Sequence, residues 1–455
     1  MIRKIDSIKK PGKVNPFTIG SLAFLLLLML WLVVSSCSQE EDAVIPVQRS
    51  YADPGEALVA FRQMLQSSDN GWKAVLIPQP GKMYSLFFTL EAADKISLYA
   101  DTDTIAARKP TITPYAVQLT QSVNPTLIFG EGSNLDRVPH PNNAGVDKAY
   151  SFKYTKGDTL YLMGNQYGDV LKLVKATKND HDSYLASGLK ATMEAVAAYL
   201  STVRFLYIAP APGKVIQFAA NPISKGIYVT YLDNGAKFFG SDYAYSLKGI
   251  ELKNAMTLPG YQASEIFWDG TSKKLYTLYN GARVDLQASP IPVIPMHYLL
   301  GSEYPAGTAV LSPNAGNLPG WSAKFYNLWL IDDNGLSAKD IYLYYIALDL
   351  HLKTNTMDLR VFYYSDDKLV RAVFPYTFTK TAEGIFSFTP QAIDSSPEGE
   401  NATFIKNYLP HILSVINVNR FRIEYYDAYE ELGGVIPKYI SVDDADLYFT
   451  GLFYQ

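Results

Sequence analysis

Residues 150–174 read YSFKYTKGDTLYLMGNQYGDVLKLV. Three short runs rich in Tyr, Phe, Leu and Val, at 150–155, 158–163 and 169–174, are parted by Lys156-Gly157-Asp158 and Tyr167-Gly168-Asp169. Short aromatic and β-branched runs bounded by glycine turns predict strands joined by tight connections. The pattern extends upstream through 73–77, 84–90, 95–100, 115–119 and 126–129, with a turn at Pro80-Gly81 and a long Gly/Asn/Pro loop at 130–148. Sheets therefore dominate the expectation.

Helices punctuate the strands. Asp53-Pro54-Gly55-Glu56 supplies a cap, a proline suited to the first turn and an acid three residues after the cap. Ala57, Leu58, Phe61 and Leu65 follow at helical spacing, and Ser67-Ser68-Asp69-Asn70-Gly71 ends the run before Trp72. A second helix is predicted over 183–201, with Leu185, Leu189, Met193, Val196 and Leu200 on one side. After it the earlier strand pattern returns. Tyr115-Ala116-Val117-Gln118-Leu119 is echoed by Tyr243-Ala244-Tyr245-Ser246-Leu247, Ile128-Phe129-Gly130-Glu131-Gly132 by Ile266-Phe267-Trp268-Asp269-Gly270, and Leu160-Tyr161-Leu162 by Leu275-Tyr276-Thr277-Leu278. The order is kept and each copy follows a helix, which suggests a duplicated helix-plus-sheet unit; a chance echo in a Tyr-rich chain is the bland alternative.

The Pro-rich stretch 289–295 and the Gly/Pro loop 301–320 mark the next boundary. Residues 323–455 read as strand-like again: Leu359, Val361 and Tyr363 alternate with Arg360, Phe362 and Tyr364. A helix is predicted over 401–415 and a last strand at Leu447-Tyr448-Phe449. The fold class is α+β, mostly β, with antiparallel sheets and a few packing helices. The spans are 1–36, 37–52, 53–178, 179–300 and 301–455.

The N-terminus carries an address. Arg3, Lys4, Lys9, Lys10 and Lys13 precede an apolar run from Leu22 to Val34, the parts of a secretory signal. The run falls short of the about 20 apolar residues a membrane span needs. Val34-Ser35-Ser36-Cys37 resembles a bacterial lipobox, and Cys37 is the only cysteine of 455 residues. The expectation is a signal peptide over 1–36, a diacylglycerol on Cys37 and a tether over 37–52. Each buried acyl methylene contributes about 0.8 kcal/mol to anchoring in a bilayer. With its one cysteine at the anchor, the folded part has none for a disulfide or for thiol catalysis. Ser38, Gln39, Glu40, Glu41 and Asp42 follow at once and resemble the surface-export signal of Bacteroidota lipoproteins, which implies an outward-facing position on the outer membrane.

The lipobox, the Asp53–Leu65 helix, Gly71-Trp72-Lys73 and the succession of Phe/Tyr-rich strands together resemble a Bacteroidota lipoprotein family of unknown function, numbered 4302. The resemblance covers most of residues 37 to about 300, and the last third of the chain is less similar. It carries no catalytic residue. It implies neighbours such as outer-membrane uptake receptors or metallopeptidases.

No chemistry announces itself. The net charge is −4 with no basic stripe, which argues against nucleic acid as a partner. His140, His181, His297, His351 and His411 are scattered, and there is no HExxH, nucleophile elbow or phosphate loop. Asp332-Asp333-Asn334-Gly335 reads as a hairpin turn, since Asn-Gly is a strong turn signal; calcium is the sharper alternative there and at Asp443-Asp444-Ala445-Asp446. Trp72, Trp268, Trp321 and Trp329 read as strand aromatics, with sugar stacking as the alternative. The sequence therefore predicts no catalytic residue, metal or cofactor, and leaves the ligand open. Three readings of function stand. The first is a non-catalytic surface binding or accessory module in nutrient capture, partnered by the bilayer and by an uptake receptor or other surface proteins. The second is a fimbrial subunit trimmed after Arg49. The third is a hydrolase with a site assembled from distant residues.

Overall fold

The computed structural model describes residues 53–139, 145–314 and 318–454. The signal peptide, Cys37, the Ser38 to Asp42 cluster, the tether up to residue 52, Arg49 and His140 lie outside the described residues.

The stretch 150–174 forms three consecutive strands of a closed eight-stranded antiparallel barrel. Its strands are β1 Trp72–Ile77, β2 Tyr84–Glu91, β3 Lys95–Ala100, β4 Thr111–Thr120, β5 Asn124–Phe129, β6 Ala149–Lys156, β7 Thr159–Gly164 and β8 Val170–Lys175. Closure comes from β1 on β8, in register from Trp72↔Lys175 to Ile77↔Val170. Side chains alternate as the pleat requires. Trp72, Ala74, Leu76, Leu160, Leu162, Leu171 and Leu173 fill the interior. Small eight-stranded barrels are filled by their own side chains, and this one is. Helix α1, Pro54–Gln66, plugs one end through Phe61 and Leu65. Trp72 Nε1 donates to Leu65 O at 2.9 Å, tying helix to barrel. Gly71, between them, has φ +81°, and a Cβ there would sit 2.5 Å from the Phe88 carbonyl oxygen. That is the physical need behind Gly71-Trp72. A short helix α2, Thr104–Arg108, bridges β3 and β4.

Two more helices lead into a second ring: α3 Lys178–Leu185 and α4 Gly188–Thr202. The single helix expected over 183–201 is thus two. Thr177 and Asp180 form a capping box that starts α3 early, and Ser187, at φ +63°, breaks the run. The ring comprises β9 Phe205–Ala211, β10 Lys214–Asn221, β11 Gly226–Leu232, β12 Ala236–Ser246, β13 Gly249–Leu258, β14 Tyr261–Asp269, β15 Lys274–Tyr279, β16 Ala282–Asp285 and β17 Gln287–Ser289. The last two are one segment interrupted at Leu286. β16 pairs with β15 and β17 with β9, so the segment closes an eight-position circuit. Leu189, Val196 and Leu200 of α4 pack into its core.

The last third repeats the arrangement. Its strands are β18 Gly307–Leu311, β19 Ile341–His351, β20 Thr356–Ser365, β21 Lys368–Lys380, β22 Ile385–Pro390, β23 Arg420–Ala428, β24 Gly434–Ser441, β25 Tyr448–Thr450 and β26 Leu452–Tyr454. Again the final segment is split, here at Gly451: β25 pairs with β24 and β26 with β18. Leu359, Val361 and Tyr363 point into the core as their alternation requires.

Two helical insertions and one strand correct three expectations here. Residues 323–337 are helix α5, Ala323–Ser337, so Asp332-Asp333-Asn334-Gly335 is not a hairpin turn. Ser322 caps the helix at Phe325 N (3.1 Å), and Phe325, Trp329 and Leu336 bury one face; tertiary burial overrides the Asn-Gly signal. The helix expected over 401–415 is broken into α6 Pro397–Ile405 and α7 Pro410–Val418, because Pro410 has no N–H to continue a helix but suits a first turn. The loop expected over 301–320 contains β18. A one-turn helix, α8 Tyr429–Leu432, links β23 to β24.

The fold is α+β and mostly β, and Pro54–Gln455 is one compact unit. Among the described residues no helix is long and apolar enough to cross a membrane. The spans 53–178, 179–300 and 301–455 each contain one ring.

Candidate functional site

Because the rings are packed solid, a site must lie on their outer faces. The first and second rings meet along a seam, and the seam has a dry half and a wet half.

The dry half is a pin. Asp101, just past β3, is fully buried, and Lys225 from the second ring donates to its Oδ2 at 2.8 Å and to its backbone oxygen at 2.7 Å. The same carboxylate accepts from Ser85 N at 2.9 Å on the first ring and from Tyr245 N at 2.7 Å on the second. The Lys225 ammonium also sits 4.7 Å from the Tyr84 ring centroid. Burial, then the Asp101 charge, pushes the Tyr84 hydroxyl up to about 12. Charge and every adjacent N–H are paired, as a buried ion pair requires.

The wet half is a cleft of about 320 Å³. Its first-ring wall is the outward edge of three strands: Lys73 of β1, Lys172 of β8 and Tyr161 of β7. These face out because Trp72, Leu171, Leu173 and Leu162 beside them face in. Its second-ring wall is the Ser246 to Lys248 turn together with Glu251 of β13 and Glu265 of β14, and the two acids sit directly opposite each other in register. Gly249 starts β13 at φ +145°, with the Ile266 carbonyl oxygen 2.3 Å from where a Cβ would be. Only glycine accommodates that approach, and it fixes the register that pairs the two acids. The floor is Tyr184 of α3, stacked on Phe87 at 4.2 Å.

The charges are unevenly satisfied. Lys73 pairs with Asp180 at 2.9 Å. Burial alone would raise Asp180, but hydrogen bonds from Lys73 and Thr177 outweigh it and hold it below the ordinary carboxylate value. Lys172 has its ammonium 5.9 Å from the Tyr161 ring and no ion pair with a described residue. Tyr161 is itself stacked on exposed Tyr154 at 4.7 Å. Neither Glu251 nor Glu265 takes a hydrogen bond or ion pair from any described residue. Burial, reinforced by Glu265, pushes the Glu251 carboxyl above its usual range, while Lys172 and Lys73 pull it partly back.

The residues singled out from sequence fall elsewhere. His181 contacts Asp182 at 3.2 Å on α3, His351 contacts Asp358 at 3.4 Å, and His297 is buried beside Gly384. Asp332 is buried and accepts from His411 Nδ1 at 2.7 Å and Ile412 N at 2.7 Å, so it caps α7 from α5. Asp443 clamps Arg420, and Asp444 pairs with Lys324. Among the described residues no three His, Cys, Asp or Glu side chains converge as metal ligands. Trp72 and Trp329 are buried, and Trp321 and Trp268 are half-buried. Sequence reading missed Lys172, Glu251 and Glu265. The one signal, and only for the first two, is a lone charge between apolar neighbours, Leu171-Lys172-Leu173 and Ile250-Glu251-Leu252.

Fold and site define a mostly-β protein of serial eight-position rings with a charged cleft where two rings meet. Residues 54–270 match the family described as "Domain of unknown function (DUF4302)". That span covers the first ring, α3, α4 and the second ring as far as β14, and so holds both walls of the cleft. No curated protein matches the chain.

Proposed function

We propose that the chain is a surface-exposed outer-membrane lipoprotein of Bacteroidota, a non-catalytic binding or accessory module in nutrient capture, anchored through acylated Cys37 and exported by Ser38 to Asp42. Its partners are the bilayer and an uptake receptor or another surface protein. The observation that carries the binding role is the cleft: two facing, half-buried carboxylates with no partner among the described residues stand in a concave seam beside lysines, a set of converging polar groups of the kind ligand sites use. The lipobox and the acidic cluster support the address.

The address and the binding role are tested separately. Labelled palmitate should enter the full chain, and a protease added to whole cells should remove it; Cys37→Ser should abolish both. Unchanged labelling in Cys37→Ser overturns the anchor. For binding, a thermal-shift screen of small nutrients is run on the full chain and on Thr159→Trp, which crowds the cleft. Loss of the hits in the variant supports the reading, and retention of all of them overturns it.

A hydrolase is the second reading, favoured by one observation. Glu251 and Glu265 face each other in a cleft and Glu251 is raised, the disposition an acid and its partner carboxylate need. Turnover of a bound ligand that stops in Glu265→Gln would choose it.

A further inference from the structure

We propose that the cleft takes a small zwitterion of dipeptide size, with its ammonium between Glu251 and Glu265 and its carboxylate at Lys172. This rests on the binding-module reading and names the ligand class of that site.

The polarity of the walls carries the argument. Both acids stand on adjacent strands of the second ring, with Lys248 at the turn before β13 on the same side, and Lys73 and Lys172 stand on the facing edge of the first ring. Like charges directly opposite on neighbouring strands oppose each other, with Cβ atoms about 4.5–5.5 Å apart. A cation between them relieves both. A calcium ion would ask for about six to eight oxygens. Among the described residues no third carboxylate, histidine or cysteine joins the pair as a ligand. An ammonium needs only three acceptors and brings one charge.

The opposite wall supplies the other half. Lys73 is committed to Asp180 at 2.9 Å. Lys172 and Lys248 have no ion pair with a described residue; Lys248 lies on the acids' own side, so Lys172, its ammonium 5.9 Å from the Tyr161 ring, is the cation that faces them across the cleft. A carboxylate there would make a charge-assisted hydrogen bond. The ligand must therefore carry both charges, one for each wall. A volume of about 320 Å³ suits an amino acid or dipeptide. The stacked Tyr161 and Tyr154 offer an aromatic face for its side chain.

The probe is glycyl-tyrosine, titrated calorimetrically into the full chain in detergent beside its N-acetylated and C-amidated forms. Acetylation removes the cation and amidation removes the anion, so the wild-type protein alone tests both halves. The free dipeptide should bind, and each blocked form should bind at least about tenfold more weakly. Glu251→Gln should lower the free dipeptide toward the N-acetyl form and leave that form unchanged, and Lys172→Met should do the same with the amide. Equal binding of all three forms, or no binding of the free dipeptide, overturns the proposal. If other ligands then bind and are lost in Thr159→Trp, the binding role stands while the zwitterion falls. If Thr159→Trp alters no binding, the cleft itself is the wrong site.

Discussion

Asp101 and Glu251 lie along one seam between the same two rings, yet the fold treats them oppositely. Asp101 takes two backbone N–H groups, one from each ring, and a lysine ammonium, and no water reaches it. Glu251 faces another carboxylate, takes no hydrogen bond from a described residue and is held above its usual range by burial. The difference is one of duty. A carboxylate that joins two bodies must have its lone pairs filled from within, because an unpaired buried charge costs several kcal/mol. On the reading proposed above, Glu251 meets its partner from solution and is held half-buried and unfilled. The same contrast separates Asp147 from the cleft: Asp147 is buried and accepts from Gln166 N at 2.6 Å and Tyr167 N at 3.0 Å to close a turn.

The largest expected effect breaks the pin. Lys225→Met leaves the Asp101 charge buried without its counter-ion and should destabilise the folded unit by about 3–5 kcal/mol. Lys172→Met removes a lysine from the cleft and should change stability by no more than about 0.5 kcal/mol. Urea unfolding followed by tryptophan fluorescence compares the two, since Trp72 is buried in the first ring. Similar losses from both substitutions would erase the distinction between dry and wet halves.

That distinction was not legible in the sequence, although much around it was. The runs 150–155, 158–163 and 169–174 correspond to Ala149–Lys156, Thr159–Gly164 and Val170–Lys175, because turn glycines and apolar residues there report directly on local backbone. Ring closure was hidden: β1 pairs with β8 across about 100 residues of intervening chain, and register over that distance leaves no local mark. The third ring was hidden differently. Residues 312–340 insert α5 between its first two strands, and Asn334-Gly335 gives a turn signal inside that helix. Of the echoes, Tyr115/Tyr243 falls on the fourth strand of both rings and Leu160/Leu275 on the seventh, whereas Ile128 and Ile266 fall on the fifth and sixth. As for the site, an outward Glu251 on a strand looks like any solvated charge. Only the approach of the first ring buries it, and nothing near residue 251 encodes that approach.

A middle-sized effect sharpens the comparison by attacking register instead of charge. Gly249→Ala places a methyl 2.3 Å from the Ile266 carbonyl oxygen, at a φ of +145° that alanine resists. The strain should cost about 1–3 kcal/mol. The start of β13 should then shift, and Glu251 should lose its place opposite Glu265. Carboxyl carbon chemical shifts followed against pH would show Glu251 titrating closer to an ordinary glutamate. An unchanged titration in a destabilised protein would mean that the register is held by other pairs along β13 and β14.

The smallest effect is a pH dependence whose sign identifies the wet half. The Glu251 carboxyl is raised in the folded protein, first by burial and then by Glu265, so the folded state holds its proton more tightly than the unfolded chain does. Stability from this group is therefore fully present below the unfolded value of 4.5 and is lost as pH rises toward the higher folded value. Glu251→Gln keeps the shape and abolishes the titration. Its melting temperature relative to wild type should rise across that window, by an amount on the order of 1 °C, and then stay level. The depressed acids of the surface, such as Asp269, held at about 2 by Arg283 and by nearby backbone N–H groups, act in the opposite sense below that window. Their contribution is common to both proteins and cancels in the difference. A bound cation beside Glu251 would favour its ionised form, so ligand should flatten the wild-type curve and change that of Glu251→Gln much less.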